Sequence, residues 1–419
     1  MHDGALGPNI RALGMVQSGS ITRCRGFMAA GGVCGIKPSG KPDLALIVAD
    51  VPCAAAGVFT TNRVVGAPVI VNKRHLRATA GVARAIVCNS GISNSATGAR
   101  GVRDAEAMCR VVAEAVGCSP REVLVSSTGV IGRLLPTPRV VRGIGALSAR
   151  LARGPKADAA AAAAIVTTDL ATKSAFRRVR LGGRTVSLAG IAKGSGMIAP
   201  NMATMLVFTV TDCAITAPSL AAALREAALG SFNRISVDEH TSPSDTVLTL
   251  ASGLAGNPRI TARRGRDYRA FVAALTELCR DLAYQVVRDG EGATRVFRVR
   301  VRGARDAADA DRIGRAIVNS PLVKTAVHGA DPNWGRIVTA AGYSGAAIRP
   351  ERMRLSIGDV AVFARGTPVT VTATRRLARL MREKEVTFTL DVGLGTASVE
   401  WLGCDLSRDY VAINADYTT

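Results

Sequence analysis

The sequence predicts an α/β or α+β protein with substantial sheets. Strand-like apolar runs alternate with helical runs along the whole chain, and no internal repeat divides it. The chain has 419 residues, of which 48% are hydrophobic, and its mean hydropathy is +0.21. A chain of this size and composition can bury a large core, in two or three domains or in one large α/β unit.

The elements of the first half follow from short apolar runs and from helical spacing. Strands are predicted for LALIVAD (44–50), PVIVN (68–72), RAIVCN (84–89) and EVLVSS (122–127), and for RVRL and TVSLAGIA on either side of the Gly182-Gly183 turn. The segment 102–117 carries apolar residues at helical spacing, and an alanine-rich segment at 157–166 predicts a second helix. Strands and helices therefore alternate from the start.

The second half continues the alternation. A strand-like run, TMLVFTVTD, begins at Thr204, and further elements are predicted as a helix at 220–229, a strand at 246–252, a helix from about 268 to 287 and a strand at 295–303. The last third ends in strands near VTFTLDVG and ASVEWLG. Glycine-containing and polar stretches near 290–294 and 304–312 predict a structural domain break within 290–312.

The distribution of charge along the chain and the scarcity of aromatic residues disfavour a nucleic-acid partner. A formal net charge of +22 and a pI near 10.6 would suit nucleic acid or an acidic substrate. The arginines are spread through the chain, however, and only 4% of residues are aromatic, so the stacking platforms of single-strand binders are missing. Most of the charge is interpreted as a solvated surface, part of which could steer an anionic substrate inward.

Composition and spacing predict a soluble cytoplasmic protein without a metal site. No run of about 18 apolar residues is free of charges or breakers, and the first residues lack the pattern of a secretion signal, so no membrane partner is expected. Nine cysteines without CxxC pairs argue against a disulfide framework or a zinc cluster. Four scattered histidines indicate no other metal site.

The segment KGSGMIAPNMATML, from Lys193 to Leu206, contains the most informative pattern. Thr204 follows a small residue in a glycine-rich turn and opens a strand-like run. If the Ala203–Thr204 bond were cut, Thr204 would gain an α-amino group that titrates at roughly 7.7 to 8.0 and could act as the base for its own hydroxyl. The chemistry alone leaves a second interpretation open, in which Thr204 is a β-branched residue that begins a buried strand.

Four other sites carry polar groups, and each of them allows a functional interpretation and a purely structural one. Thr128-Gly129 ends a predicted strand and could supply an oxyanion hole, or could simply end the strand. Lys193 could reach a carboxylate or could be a solvated surface lysine. The acids of Asp289-Gly-Glu291 could approach a ligand, although such turns are common. The segment 331–336, DPNWGR, could carry a site or could organise a turn through Asx bonding.

Taken in order, these segments closely resemble the ornithine acetyltransferase (glutamate N-acetyltransferase) family of arginine biosynthesis. The resemblance covers about nine tenths of the chain. Its motifs are GFMAAGGVCGIKPSGKPDLALIVAD from residue 26, AAGVFTTN (55–62), SSTGVIG (126–132), TTD (167–169), KGSGMIAPNMATML, DGEGATR (289–295), GADPNWGR (329–336) and the terminal NADYTT.

The resemblance implies a self-cleaving enzyme with an N-terminal threonine nucleophile. Cleavage after Ala203 would give an α chain, 1–203, and a β chain, 204–419, which associate as an α2β2 heterotetramer. Acetyl would pass from N2-acetylornithine to glutamate in a ping-pong reaction through an acetyl-Thr204 intermediate. Thr128 and Gly129 would stabilise the oxyanion. The implied fold is layered, with sheets sandwiched by helices, similar to but distinct from other N-terminal nucleophile hydrolase folds, and with a second, smaller α/β domain.

The same resemblance implies the substrate-binding residues. They are Thr167, Lys193, Thr204, Glu291, Asn414 and Thr419. Lys193 would suit the α-carboxylate shared by both amino acids, and Glu291 would suit a cationic amino group. No cofactor is required, because the acetyl group stays on the protein or on an amino acid throughout, while acetyl-CoA is a potential additional substrate.

Two segments depart from the family pattern and bear on the substrate. Ile92-Ser93-Asn94 stands where the family usually has Asn-Ala-Asn, and Glu239 to Asp245 replaces the usual Gly-Asp-Thr-Ser-Thr-Asn-Asp. Neither change touches the nucleophile. They leave open a secondary-metabolism acetyltransferase acting on a related amine. A self-cleaving aminopeptidase or amidase of related fold, in which water reaches the acyl-threonine, is the second alternative.

Overall fold

A computed structural model describes residues 21–198 and 205–416. Ala203, Thr204 and Thr419 lie outside the described residues. The strands of the described residues are β1 (Phe27–Gly32), β2 (Leu44–Phe59), β3 (Val82–Ile92), β4 (Val123–Val130), β5 (Lys173–Leu181), β6 (Arg184–Lys193), β7 (Leu206–Thr211), β8 (Ile235–Ser236), β9 (Thr246–Ala251), β10 (Val296–Ala304), β11 (Arg354–Ile357), β12 (Val360–Ala364), β13 (Thr367–Pro368), β14 (Glu385–Asp391) and β15 (Ala397–Cys404).

Helices are distributed between the strands along the chain. They are α1 (Ala67–Ala78), α2 (Gly98–Val116), α3 (Thr137–Ser148), α4 (Pro155–Ile165), α5 (Ala217–Leu229), α6 (Arg266–Arg288), α7 (Ala307–Asn319), α8 (Pro321–His328), α9 (Trp334–Gly342), α10 (Thr374–Arg382) and α11 (Arg408–Asp416). Among the described residues, no helix has the length and apolar character needed to cross a membrane.

One predicted strand is wrong. The run PVIVN (68–72) lies in α1, because Pro68 occupies the first turn, where proline is favoured, and the helix continues through KRHLRA. Val69 and Val71 are buried, and a short apolar run cannot be distinguished from a buried helix segment by periodicity alone. The other predicted elements are present within the described residues, with ends displaced by a few residues.

The first sheet has the strand order β4-β3-β2-β9-β7-β6-β5, and β1 pairs with β2. Strand β2 is 16 residues long and serves both halves of this sheet. Its residues 44–48 pair with β3, and its residues 54–59 pair with β9. A register shift between Val48 and Cys53 bends the strand between these two parts. This bend allows the halves of the sheet to lie in different layers.

The buried side chains show that the sheet folds over itself. One apolar cluster combines residues of β2, β3 and β4 with residues of β6, β7 and β9: Ile47, Ile86, Leu124, Ile191, Phe208 and Leu248. Helices α2 and α3 cover the outer face of the first layer, and helices α5 and α6 cover the outer face of the second. The order helix, sheet, sheet, helix confirms the predicted layered α/β fold.

The second sheet has the order β13-β12-β11-β14-β10-β15-β8. One apolar cluster joins its strands to helices α7, α8, α9 and α10. The chain enters this sheet's central strands at Val296, after α6 has ended at Arg288. Strand β8, which lies earlier in the chain, joins the edge by pairing Ile235 with Leu402 of β15.

Candidate active site

Thr128 and Lys193 are 65 residues apart in the chain and meet at one end of the two-layered sheet. Thr128 lies near the end of β4, and Lys193 is the last residue of β6. Lys193 Nζ donates a hydrogen bond of 3.2 Å to Thr128 Oγ1, and both side chains are buried. Lys193 also pairs with Leu206, the first residue of β7. The contact therefore lies beside the strand that follows Thr204 in the chain.

The turn at Thr128 and Gly129 has the features that an oxyanion hole needs. Because Thr128 Oγ1 accepts a hydrogen bond from Lys193, its own hydrogen remains available to a further acceptor. Gly129 has a φ of +126°, and a β-carbon there would lie 2.3 Å from the backbone carbon of Gly91. Only glycine fits this approach between β3 and β4. The assignment of both residues to an oxyanion hole stays a prediction.

Lys193 is a buried cation, and only part of the hydrogen-bonding capacity of its ammonium group is used among the described residues. Burial lowers the pKa of Lys193, whereas the neighbouring Asp169 acts in the opposite direction. Within residues 21–198 and 205–416, Lys193 forms no ion pair, and Thr128 Oγ1 is the hydrogen-bond acceptor of its ammonium group. An ammonium group has three donors, so two have no acceptor among the described residues and could serve a ligand carboxylate. The site can therefore bind one anionic group next to the oxyanion-hole candidate.

An ion network formed by Lys173, Asp169 and Asp289 lies next to Lys193. Lys173 Nζ lies 2.6 Å from Asp169 Oδ1 and 2.6 Å from Asp289 Oδ2. Burial alone would raise the pKa of Asp169, but Lys193 and Lys173 lower it to about 2. Asp169 is consequently ionised at neutral pH, and its charge offsets part of the cost of burying Lys193.

The same carboxylate fixes Thr167. Asp169 Oδ2 accepts a hydrogen bond of 3.0 Å from the Thr167 backbone N–H, and Asp169 Oδ1 accepts one of 2.7 Å from Gly194 N–H. One buried side chain thus joins the loop that contains Thr167 to the residue that follows Lys193. The structure brings Thr167 and Lys193 to the same region, as a shared substrate site requires.

Glu291 and Asn414 are also brought together near this loop. Glu291 N–H donates to Ser195 O over 3.0 Å, and a β-carbon at Gly196 would lie 2.2 Å from Glu291 Oε2, so the carboxylate packs directly on that glycine. Asn414 Nδ2, on α11, donates to Glu291 Oε2 over 3.0 Å. The structure therefore collects Thr128, Lys193, Thr167, Glu291 and Asn414 around the glycine-rich segment before residue 199.

Two other polar features belong to local structure. Asn333 accepts a hydrogen bond from the Arg336 N–H and caps α9, and Trp334 stacks on Phe363 at 5.4 Å. The side chain of Asn333 therefore organises the turn that begins α9. His240 is an exposed loop residue whose backbone N–H donates to Asp238.

Asp289 appears in the sequence analysis as an acid that could approach a ligand. Sequence reasoning gave no role to Asp169, which lies in the TTD motif, or to Lys173. The signal for both was their spacing of four residues, although this spacing indicates contact only in a helix, and here the pair bridges a loop and the start of β5.

We expect Lys173→Met to destabilise the protein strongly. It would leave Asp169 and Asp289 without their shared cation, and removing one partner of a buried ion pair costs about 3–5 kcal/mol. Urea titration of a single-chain background carrying Thr204→Ala measures the free energy of unfolding. Lys156→Met, which removes an exposed lysine of α4, is the control and should change it little. Equal stabilities for the two variants would contradict a structural role for the network.

Comparisons with known proteins agree over almost the whole chain. Residues 28–419 match the ArgJ family. "Arginine biosynthesis bifunctional protein ArgJ" of Symbiobacterium thermophilum is 50% identical over 404 residues, which cover 96% of this chain and 99% of that protein. The protein of the same name from Geobacter sulfurreducens is 46% identical over 395 residues, which cover 94% of this chain and 99% of that protein.

A solved structure of a relative shares part of the chain. The crystal structure of the arginine biosynthesis bifunctional protein argJ from Bacillus halodurans is 40% identical, with a TM-score of 0.43, and the match covers 45% of this chain and 96% of that one. The family match and the identity to nearly full-length relatives decide the assignment. The chain belongs to the ArgJ family.

Proposed function

We propose that this chain is a glutamate N-acetyltransferase (ornithine acetyltransferase) of arginine biosynthesis, which moves acetyl from N2-acetylornithine to glutamate. The observation that carries the proposal is the buried Lys193 ammonium beside Thr128, next to the strand that follows Thr204. It offers a carboxylate site and an oxyanion donor together. The names of the relatives, which specify arginine biosynthesis, favour this function over the secondary-metabolism acetyltransferase and the aminopeptidase or amidase.

The proposal includes maturation by self-cleavage. The chain would cut itself after Ala203 into an α chain, 1–203, and a β chain, 204–419, and two copies of each would form an α2β2 heterotetramer. We further propose a domain boundary within 290–312, where the chain leaves α6 and enters β10. A cytoplasmic location suits the nine cysteines, all of which are free, because reducing compartments keep thiols unpaired.

In the proposed acylation step, the α-amino group of Thr204 takes the hydroxyl proton while Thr204 Oγ1 attacks the acetyl carbonyl carbon of N2-acetylornithine. The oxyanion that forms accepts hydrogen bonds from Thr128 and Gly129. The bond between the acetyl carbon and the ornithine nitrogen then breaks, and the departing nitrogen receives the proton. Acetyl-Thr204 remains, and ornithine leaves.

Deacylation reverses these steps with a new amine. The glutamate α-amino group attacks acetyl-Thr204, and N-acetylglutamate leaves after the bond to Oγ1 breaks. Lys193 binds the α-carboxylate that both amino acids carry, and Thr167 lies beside it. Glu291, held by Asn414, faces the cationic side-chain amine of ornithine. Thr419, at the end of the chain, completes the proposed binding residues.

The proposed chemistry needs no cofactor, because acetyl stays on Thr204 or on a substrate. We include acetyl-CoA as a second acetyl donor, since a thioester can form the same acetyl-Thr204 and the relatives are named bifunctional. Acetyl transfer from N-acetylornithine to glutamate, assayed with and without acetyl-CoA, tests both parts. Absence of transfer from N-acetylornithine contradicts the main activity, and absence of transfer from acetyl-CoA contradicts only the second.

We expect wild-type enzyme to use N-acetylornithine and to reject its carboxamide. Without the carboxylate the buried Lys193 ammonium would lack its charged partner, at a cost of about 3–5 kcal/mol, or more than about 100-fold in kcat/KM. Lys193→Met should reduce the preference for acid over amide to near unity, even if slow transfer survives. Lys156→Met is the exposed control. A preference that survives Lys193→Met would place the carboxylate elsewhere.

A further inference from the structure

Asp245, which is buried, and Asp238, which is partly buried, contact the described residues on either side of the segment 199–204. Asp238 Oδ2 accepts a hydrogen bond of 2.6 Å from Met197 N–H, and Asp238 Oδ1 accepts one of 2.7 Å from Ile198 N–H. Asp245 Oδ1 accepts one of 3.0 Å from Met205 N–H. Both carboxylates come from the single connection between β8 and β9. The chain is therefore held immediately before residue 199 and immediately after residue 204.

Backbone hydrogen bonds reinforce both contacts. Val237 N–H donates to Ile198 O over 2.8 Å, and Thr246 N–H donates to Met205 O over 3.0 Å. Ile198 and Met205 are thus each bonded through the N–H by a carboxylate and through the C=O by the residue next to that carboxylate. Residues 237–246 set the spacing between Ile198 and Met205.

The connection that carries the aspartates is itself fixed to the first layer of the sheet. Thr60 N–H donates to Asp245 O over 3.0 Å, and Thr60 Oγ1 donates to Ser242 O over 2.7 Å. Ser244 Oγ and Ser95 Oγ are 2.9 Å apart. Because Thr60 directly follows β2 and Ser95 lies three residues after β3, these contacts fix the connection that carries the aspartates to the first layer of the sheet.

The environment of Asp245 is costly for a residue with only a structural role. Its second oxygen, Oδ2, is buried and has no hydrogen-bond partner within the described part of the chain. Burial raises the pKa of Asp245 well above its usual range, and burial also raises the pKa of Asp238. A buried carboxyl group with one oxygen unpaired among the described residues is a functional candidate, since a buried polar atom calls for a partner.

We propose that Asp238 and Asp245 are positioning residues for self-cleavage, which hold Ile198 and Met205 on either side of the 199–204 segment so that the Thr204 hydroxyl can attack the Ala203 carbonyl. This inference rests on the self-cleavage included in the proposed function. Thr204 Oγ1 bonds to the Ala203 carbonyl carbon, the bond between that carbon and the Thr204 nitrogen breaks, and the hydroxyl proton ends on the nitrogen. Water then hydrolyses the ester, which gives the Ala203 carboxylate and restores the hydroxyl.

The need for positioning follows from the ordinary geometry of a peptide. An amide is a poor electrophile, and the hydroxyl must be held near the carbonyl carbon for attack to compete with the many conformations that separate them. Fixing the residues on both sides of a six-residue segment reduces the number of conformations that it can adopt before the reaction. Misplacement of reacting groups by about 1 Å lowers rates by roughly 100-fold.

The test compares cleavage rates of full-length chains. Wild type, Asp238→Ala and Asp245→Ala are made by cell-free synthesis with a pulse of labelled methionine, and the loss of the intact 43.4 kDa chain is followed on denaturing gels. Each alanine variant should cleave roughly 10- to 100-fold more slowly. Asp238→Asn and Asp245→Asn should restore most of the rate, because the amide oxygen accepts the same N–H bonds.

Asp212→Ala is the matched control. Asp212 is also buried and its Oδ1 accepts a backbone hydrogen bond of 2.7 Å, from Ser187, but it follows the opposite end of β7. It should cleave at the wild-type rate. Hydroxylamine, which cleaves esters, should not release fragments from the alanine variants, since their block precedes the ester.

Each outcome bears on a different claim. Wild-type rates in folded alanine variants, or an equal slowing in Asp212→Ala, would overturn the role of the two aspartates while self-cleavage stands. Release of fragments by hydroxylamine would also overturn it, because the block would then lie at hydrolysis. A wild-type chain that stays intact would instead overturn the self-cleavage on which the inference rests. If the alanine variants fail to fold, Asp238→Glu and Asp245→Glu replace them. Cleavage at the wild-type rate in both of these variants would then overturn the role of the two aspartates.

Discussion

A Thr204→Ala variant is expected to remain a single chain of 43.4 kDa and to lose acetyl transfer completely. Wild-type protein should instead separate into fragments 1–203 and 204–419, and the C-terminal fragment should begin Thr-Met-Leu. The reason is that one hydroxyl has two uses: it attacks the Ala203 carbonyl during maturation and the acetyl carbonyl during transfer. Denaturing gels, N-terminal sequencing and a transfer assay measure the three expectations.

Two further variants sharpen this experiment. Thr204→Ser keeps a hydroxyl and should retain cleavage and some transfer. Thr211→Ala removes a buried threonine hydroxyl from the far end of β7, where it donates to Ser187 O, and should cleave normally. Wild-type protein that is intact on a denaturing gel and yet fully active would refute Thr204 as an N-terminal nucleophile.

The second large effect is expected from Thr128→Ala, which should lower kcat by about 100- to 1,000-fold with little change in KM. Loss of one donor from an oxyanion hole weakens the transition state, in which the negative charge develops, more than the bound substrate. The structure makes the hydroxyl a suitable donor, because its oxygen already accepts from Lys193 and its hydrogen is left for another acceptor. Steady-state kinetics of cleaved enzyme give both constants.

Neighbouring residues of β4 provide the controls. Thr128→Ser preserves the hydroxyl and should recover most of kcat. Ser126→Ala removes a buried hydroxyl two residues earlier in the same strand, one that has no partner among the described residues, and should leave kcat unchanged. An unchanged kcat in Thr128→Ala would mean that Thr128 and Gly129 serve only to end the strand.

Much of the fold was predictable from local patterns. The helices at 102–117 and 268–287 were recognisable because their apolar residues repeat at helical spacing, and both are present as α2 and α6. The hairpin of β5 and β6 was recognisable from the Gly182-Gly183 turn. The strand predicted for PVIVN was wrong because a five-residue apolar run fits a strand or a buried helix equally well. The packing of α1 decided between them.

The site was predictable only as separate pieces. Thr128, Thr167, Lys193, Glu291 and Asn414 were identified through motifs that resemble a family, but no local pattern specifies the distances between them. Asp245 enters the sequence analysis only as the last residue of a segment that departs from the family pattern, and Asp238, which precedes that segment, was not singled out. Their contacts with Met197 and Met205 depend on where β8 and β9 lie in the folded chain.

The sequence by itself determined the types and order of the elements, the glycine at position 129 and the reactive pattern before Thr204, because backbone preferences and side-chain chemistry are local properties. Only the tertiary structure decided which residues meet. Thr128 and Lys193 lie on strands that are five places apart in the order of the first sheet, and the bend of β2 and the apolar cluster between its layers bring them to 3.2 Å. Apolar burial acts without regard to separation along the chain, so the contacts it creates are absent from any local pattern.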